Sequence, residues 1–146
     1  GLNNLINYSR GTRTSNGITA LNVVNITVQN CSLLRPDGYQ QDQPAIYFEN
    51  VSQSEIFNNS FNILGYEHYS YPVYLYESQL IDVYDNYMNT ECYYCYGVFT
   101  KNSDQITIHN NTVNTSMLDA HGFKSEYSTN IDYFLNNQIL LPPILN

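Results

Sequence analysis

The sequence has little charge, and cations are its scarcest group. Only 12% of its 146 residues are charged, and five Lys and Arg face 13 Asp and Glu, which leaves a net charge of −8. A protein that binds nucleic acid needs a basic surface to neutralise phosphates, so a nucleic-acid partner is excluded. The longest apolar run also falls far short of the roughly 20 residues that cross a bilayer, so no membrane span is predicted.

Helical periodicity and a cysteine framework are missing as well. No stretch shows the apolar period of a helix, and no signal peptide or targeting motif opens the chain. Among the three cysteines, Cys92 and Cys95 form one CxxC pair and Cys31 stands alone. The pair is interpreted as a local disulfide or as two plain thiols, because a single CxxC is weak evidence for metal. We therefore predict no metal site and no cofactor.

What the sequence has in abundance is Asn, Ser, Thr and 15 Tyr, arranged in a repeat. An apolar column recurs at steps of 28, 27, 25 and 25 residues. It consists of Val28, Ile56, Val83, Ile108 and Tyr133. Ten positions before each member lies another apolar residue, in the order Ile18, Ile46, Val73, Val98 and Phe123. This internal spacing is kept five times while loops absorb the length changes, which indicates a solenoid.

Each repeat alternates apolar and polar residues, which predicts strands. In the second repeat, three short strands are predicted at 46–49, 54–57 and 60–63. Strands this close leave no room for a helical crossover, so each must pair with its counterpart one repeat on, in parallel coils called rungs. We predict one domain over residues 1–146: 1–16 are the end of a preceding rung plus a loop, 17–140 form five rungs, and 141–146 form a C-terminal cap or exit.

An Asn-rich bend follows the second strand of each repeat. The bend leaves backbone groups without partners, and an inward Asn can satisfy them while bonding the Asn one rung away. The predicted internal ladder is Asn4, Asn59, Asn86, Asn111 and Asn136. Asn4 is included because "GLNNLIN" aligns with the end of a rung. Cys31 is expected to take the ladder position of its own rung as a small buried thiol.

The repeat spacing and the stacked Asn positions resemble the right-handed parallel β-helix family, the pectin-lyase-like solenoids. The resemblance covers about residues 17–140 and implies an all-β, single-stranded parallel β-helix with an Asn ladder. It implies about five rungs of 25–28 residues, each with three short strands. Right-handedness follows from the resemblance and agrees with the handedness of parallel crossovers. The chain is interpreted as a fragment or C-terminal part of a larger surface protein.

Seven Asn residues stand in glycosylation sequons. They are Asn7, Asn25, Asn30, Asn50, Asn58, Asn110 and Asn114. A chain rich in Asn also creates such sequons by accident. Asn30, Asn58 and Asn110 each precede the inward residue of a bend, so they are expected to point outward. All seven are candidates for glycosylation if the source is eukaryotic or archaeal.

Two outward columns carry the candidate functional residues. Tyr47, Tyr74 and Phe99 follow one another on consecutive rungs, where aromatic faces suit sugar rings or a flat protein surface. They are equally explained as ordinary cross-strand pairs. A candidate catalytic group is Glu55, Asp82 and His109. Carboxylates on adjacent rungs would lie about 5 Å apart, near the separation in retaining glycosidases; the alternative is solvated surface.

The composition favours a non-catalytic structural or adhesive module of a secreted, cell-surface, filament or virion protein. The expected location is extracellular, on a cell surface or in a virion. Expected partners are further copies of the chain, other surface or virion proteins, and glycans, reached through aromatic faces or the open end of the solenoid. The alternatives are a fragment of a polysaccharide lyase or glycoside hydrolase, and a carbohydrate-binding module.

Overall fold

The computed structural model describes residues 4–7, 10–12, 17–35, 44–64, 70–115 and 120–140. All regular elements in these ranges are β-strands. The described part of the chain contains no helix with the length and apolar character needed to cross a membrane.

The strands form three sheets. Sheet A contains β1 (Asn4–Asn7), β4 (Ile26–Gln29), β7 (Ser52–Phe57), β10 (Gln79–Tyr84), β13 (Asp104–His109) and β16 (Thr129–Leu135). Sheet B contains β2 (Arg10–Thr12), β5 (Ser32–Arg35), β8 (Ser60–Leu64), β11 (Tyr87–Glu91), β14 (Thr112–Thr115) and β17 (Gln138–Leu140). Sheet C contains β3 (Ile18–Leu21), β6 (Ile46–Glu49), β9 (Val73–Tyr76), β12 (Tyr96–Lys101) and β15 (His121–Glu126).

Each strand pairs in parallel with its counterpart one rung away. In sheet A, Ile56 lies in register between Val28 and Val83. The chain passes through sheets C, A and B in turn, completing five rungs, and β1 and β2 precede the first of them. The predicted all-β parallel solenoid with three short strands per rung is confirmed. The strands of the second repeat, 46–49, 52–57 and 60–64, differ from prediction only at two ends.

The core runs along the inside of the coil. Val28, Ile56, Val83 and Ile108 of the predicted column have no exposed surface. The side chain of its fifth member, Tyr133, lies outside the described residues. Residues on either side of the four buried members point outward, as the period of two requires. The apolar core is therefore continuous from rung to rung.

Each rung has three bend positions with positive φ, two near the turn from sheet C to sheet A and one at the turn from sheet A to sheet B. The first bend uses Asn22, Asn50, Glu77, Asn102 and Tyr127. The second, within or beside the sheet A strands, uses Asn25, Gln53, Leu80, Gln105 and Asn130. The third uses Asn30, Asn58, Asp85, Asn110 and Asn136. Asn suits these places because its short polar side chain tolerates the left-handed backbone.

Two of the predicted ladder positions are wrong. Asn4 pairs with Ile26 at the start of β1, so its register is that of a strand and not of the bend. Ile6, rather than lying after a bend, belongs to the column of Val28. Asn136 is exposed with a φ of 56°, and Asn137 takes the ladder position instead.

The shift from Asn136 to Asn137 has a local cause. The pairing of β13 with β16 changes register between Thr107 and His109, so β16 carries one extra residue. A bulge of this kind displaces everything after it by one position. Residues 141–146, for which a cap or exit was predicted, lie outside the described residues.

Candidate functional site

The inward Asn residues use their amide groups inside the coil. The Nδ2 of Asn59 donates to Oδ1 of Asn86 at 3.0 Å, and the Nδ2 of Asn86 donates to Oδ1 of Asn111 at 3.0 Å. Each amide also donates to a backbone carbonyl of the preceding rung, as Asn86 does to Ile56 at 2.9 Å. The backbone N–H of Cys31 donates to Asn59, so this buried thiol ends the ladder. These amides therefore bond one another and the backbone of neighbouring rungs.

A second ladder, made of serines, lies at the bend between sheets C and A. The backbone N–H of Ser78 donates to Oγ of Ser103 at 3.2 Å, and that of Ser103 donates to Oγ of Ser128 at 3.0 Å. Val51 donates to Ser78 in the same way. The sequence prediction missed this ladder, although its signal was present as Ser recurring at steps of 25 residues.

The aromatic column of sheet C is covered. Tyr74 lies 5.4 Å from the Tyr47 ring and stacks on Phe99 at 4.8 Å between centroids. Phe99 is only 6% exposed, because Tyr71 and Tyr96 pack over it as a small second core. The expectation that this column offers three open ring faces is therefore wrong at Phe99. Tyr71 and Tyr96 were not anticipated, because Tyr71 precedes β9 and Tyr96 opens β12 ahead of the predicted apolar position Val98.

Polar groups around this aromatic cluster are paired. Nζ of Lys124 lies 4.9 Å from the Tyr96 ring centroid and 2.7 Å from a carboxylate oxygen of Glu126. The bond from Lys124 holds the pKa of Glu126 below its ordinary value. The hydroxyl of Tyr47 donates to Glu49 at 2.9 Å. Burial, and then the bond to Glu49, raise the pKa of Tyr47 well above its ordinary value.

The sequon residues occupy different environments. Asn50, Asn30, Asn58 and Asn110 are exposed at bends, whereas Asn25 is half-buried. Asn58 donates its Nδ2 to Asn30, and Asn50 donates to Asn22 at 2.6 Å.

The two remaining sequons lie within strands. Asn114 is half-buried and donates to Oδ1 of Asn89 at 2.9 Å, in an outer amide ladder that continues to Asn62. Asn7 lies in β1. A glycan on Asn114 would have to displace its neighbours, whereas one on Asn110 would extend into solvent.

Cys92 and Cys95 are joined by a disulfide with Cα atoms 5.7 Å apart, and both are buried. The described residues contain no group of three or more His, Cys, Asp or Glu placed to hold a metal ion.

The candidate catalytic residues lie on the outer face of sheet A. Glu55 and Asp82 are register partners on adjacent strands and are both exposed. His109 lies one column away, where it pairs with Tyr84 and stacks on that ring at 5.0 Å with an interplanar angle of 3°. The structure therefore brings the two carboxylates together and leaves the imidazole beside an aromatic ring.

Glu55 and Asp82 line a shallow groove of about 700 Å³, here called the sheet A groove. One wall is the second bend column, Asn25, Gln53, Leu80, Gln105 and Asn130. The other wall is the column Thr27, Glu55, Asp82 and Thr107. Because both carboxylates face water, the groove suits binding better than general acid catalysis, which depends on a desolvated carboxyl group.

Comparisons of this chain with protein-family models, with curated proteins and with solved structures give no match. The function is therefore inferred from the geometry of this chain.

Proposed function

We propose that the chain is a non-catalytic structural and adhesive module, built as a rigid solenoid for an extracellular, cell-surface, filament or virion protein. The observation that carries this proposal is the use of polar side chains within the coil. The buried amides of Asn59, Asn86 and Asn111 and the hydroxyls of Ser78 and Ser103 bind backbone groups. A chain whose buried polar side chains bond its own backbone in this way suits a structural scaffold.

The composition supports a location outside the cell. The chain is acidic, poor in charge and rich in Asn and Tyr, with an enclosed disulfide between Cys92 and Cys95. Disulfides persist in oxidising compartments, so the pair suits a secreted or displayed protein. Among the sequons, Asn58 and Asn110 are the preferred sites for a glycan because each is exposed at a bend and precedes an inward Asn.

The coil is also proposed to be right-handed and related to the pectin-lyase-like solenoids. Support comes from the internal ladder at the bend between sheets A and B, and from parallel pairing within all three sheets. Parallel crossovers in one sheet are right-handed in almost all proteins.

Assembly is proposed to use the stacked rings of Phe57, Tyr84 and His109 or strand edges at either end of the coil. Phe57 and Tyr84 stack at 4.8 Å, and His109 follows. Sedimentation velocity over a wide concentration range tests this, and reversible association is expected. A chain that stays strictly monomeric at high concentration would contradict the assembly proposal. Exchanging Tyr84 for Ser should weaken association through the rings, whereas exchanging the exposed Tyr127 for Ser should not.

A polysaccharide-active enzyme is the second candidate, favoured by the adjacency of Glu55 and Asp82 in a groove. The wild-type chain and the Glu55→Gln/Asp82→Asn variant are incubated with a panel of acidic and neutral polysaccharides, and cleavage is followed by reducing ends and by absorbance of unsaturated products. A scaffold shows no turnover with either chain. Turnover that this variant loses would establish the enzyme instead. The carbohydrate-binding alternative at Tyr47, Tyr74 and Phe99 is disfavoured because Phe99 is covered.

A further inference from the structure

Charge is segregated between the faces of the solenoid. The six strands of sheet A contain no Lys or Arg, while Glu55, Asp82, Asp104 and Asp132 lie within them. On sheet C, Lys101 and Lys124 approach Glu126 at 3.8 Å and 2.7 Å. The outer face of sheet A therefore presents the exposed carboxylates of Glu55 and Asp82, and its described strands carry no Lys or Arg.

The sheet A groove adds an apolar contact to this face. Leu80 lines the groove and is 45% exposed, between Gln53 and Gln105 in a column otherwise made of amides. Because Leu80 is exposed, it adds little burial energy to the coil. It directly precedes the core residue Ile81 and lies two residues before Asp82. The groove thus offers a ligand negative charge and an apolar surface side by side.

The rings beside the groove disfavour a sugar as the ligand. Tyr84 is stacked between Phe57 at 4.8 Å and His109 at 5.0 Å, with interplanar angles of 6° and 3°. Both faces of Tyr84 are therefore occupied, whereas sugar binding by stacking needs an open ring face. What remains available is carboxylate, amide and aliphatic surface.

We propose that the sheet A groove binds an extended cationic segment of a partner protein. Its Lys or Arg head groups pair with Glu55 and Asp82, while their methylene stems lie against Leu80. Gln53 and Gln105 line the same groove, and their amide oxygens supply acceptors for the backbone N–H groups of such a segment. This inference goes beyond the proposed function, because it concerns a different partner and does not require the chain to associate with itself.

The dimensions of the groove fit a short extended segment. Its amide wall crosses five rungs, from Asn25 to Asn130. At about 4.8 Å between neighbouring strands this is about 19 Å, which about six residues of extended chain would span at about 3.3 Å each. Charge complementarity would also speed the encounter, since the whole chain carries a net charge of −8.

The test uses the full chain and a fluorescent peptide in which Lys alternates with Ser, with binding followed by anisotropy. The Glu55→Gln/Asp82→Asn variant should bind about tenfold more weakly, because two charge-assisted contacts are lost. The matched control is Glu77→Gln/Glu91→Gln, which removes the same charge from exposed positions outside the groove and should change the affinity less than about twofold. Leu80→Asn should also weaken binding while leaving the circular dichroism spectrum unchanged.

Three results would overturn the proposal. Equal weakening by the two double variants would show attraction by net charge without a groove. Absence of binding to the Lys–Ser peptide at low salt would show that the groove does not bind a cationic segment. Binding of a neutral polysaccharide that the Glu55→Gln/Asp82→Asn variant abolishes, with none of the peptide, would assign the groove to glycans. Because self-association is measured separately, failure here leaves the assembly proposal standing.

Discussion

At the scale of single residues, the inner and outer amide ladders differ in their contact with water. Asn86 is 2% exposed, and its amide bonds Asn59, Asn111 and the Ile56 carbonyl. Asn89 is half-buried and bonds Asn62 and Asn114 on the surface. Water can replace the second set of bonds and cannot reach the first.

We expect Asn86→Ala to lower the free energy of unfolding by about 3 kcal/mol or more, because several buried groups lose their partners at about 1–3 kcal/mol each. Asn89→Ala, the matched control, should cost about 1 kcal/mol or less. Urea unfolding followed by far-ultraviolet circular dichroism measures both. Equal losses of unfolding free energy in the two variants would show that the inner ladder stabilises the fold no more than the outer ladder does.

Thr100 is fully buried, and its hydroxyl has no hydrogen-bond partner among the described residues. Thr100→Val keeps the shape and removes the unpaired group, so we expect the free energy of unfolding to rise by about 1 kcal/mol. Thr90 is the control, because its equally buried hydroxyl bonds the Asn114 carbonyl at 3.4 Å. Thermal unfolding should show a higher Tm for Thr100→Val and no gain for Thr90→Val; the reverse order would contradict the assignment.

Residue positions could be predicted from sequence where the repeat is regular. Asn59, Asn86 and Asn111 recur at a constant distance from an apolar column, so their inward orientation followed from spacing. Asn137 was missed, although the sequence carries a sign of the one-residue bulge in β16: Ile139 follows its counterpart Val113 by 26 residues and not by 25. The prediction for Asn4 was wrong because a short Asn pair can be aligned in two registers when no complete repeat surrounds it.

At the scale of strands and bends, the first and third bend columns were visible as polar residues between apolar runs. The second was not, because Gln53, Leu80 and Gln105 lie inside β7, β10 and β13 and share no turn-forming chemistry. Its left-handed backbone is imposed by the coil, which must turn between sheets C and A whatever residue stands there. Tertiary context here overrides local preference.

Sheet C approaches sheet B closely at the start of β12, where Gly97 permits the contact. A Cβ at Gly97 would lie 2.7 Å from the Gly122 carbonyl oxygen and 2.9 Å from the Val113 methyl groups. Gly97→Ala must therefore push two rungs apart, and we expect a loss of about 2 kcal/mol in the free energy of unfolding.

Urea unfolding of Gly97→Ala measures this loss. Ser125→Ala, at an exposed position of β15 in the same sheet, is the control and should change stability by less than about 0.5 kcal/mol. Unaltered stability in Gly97→Ala would show that the neighbouring rungs can separate without cost.

At the scale of the whole molecule, the fold was predictable and the surface was not. A repeat kept over five rungs specifies strands, register and core together. The cover over Phe99 depends on Tyr71, which precedes β9, and on Tyr96, which opens β12. Neither residue belongs to the apolar columns that the repeat defines. The sheet A groove likewise depends on the relative positions of the Leu80 column and the Asp82 column. The alternation of apolar and polar residues does not determine these positions.

Folding raises the pKa of several titratable groups, so each of them makes the folded chain less stable as the pH becomes alkaline. Burial is the main cause that raises the pKa of Tyr47 and of Tyr84, and the bond to Glu126 raises that of Lys124. The folded chain therefore holds these protons more tightly than the unfolded chain does. Their contribution to stability is complete below the unfolded pKa of about 10 and declines as pH rises through the folded values.

We therefore expect the urea midpoint of the whole chain to fall steadily above about pH 10. Tyr47→Phe, which removes the titrating hydroxyl next to Glu49, should start from a slightly lower midpoint and then decline less steeply. Tyr127→Phe, altered at a side chain that is 85% exposed, should follow the wild type. The difference in tyrosinate absorbance between the wild type and Tyr47→Phe would report the ionisation of Tyr47, which we expect only as the chain unfolds. A Tyr47→Phe midpoint that falls as steeply as the wild type would remove Tyr47 from this linkage, because the decline would then come from the other groups and from the growing net negative charge.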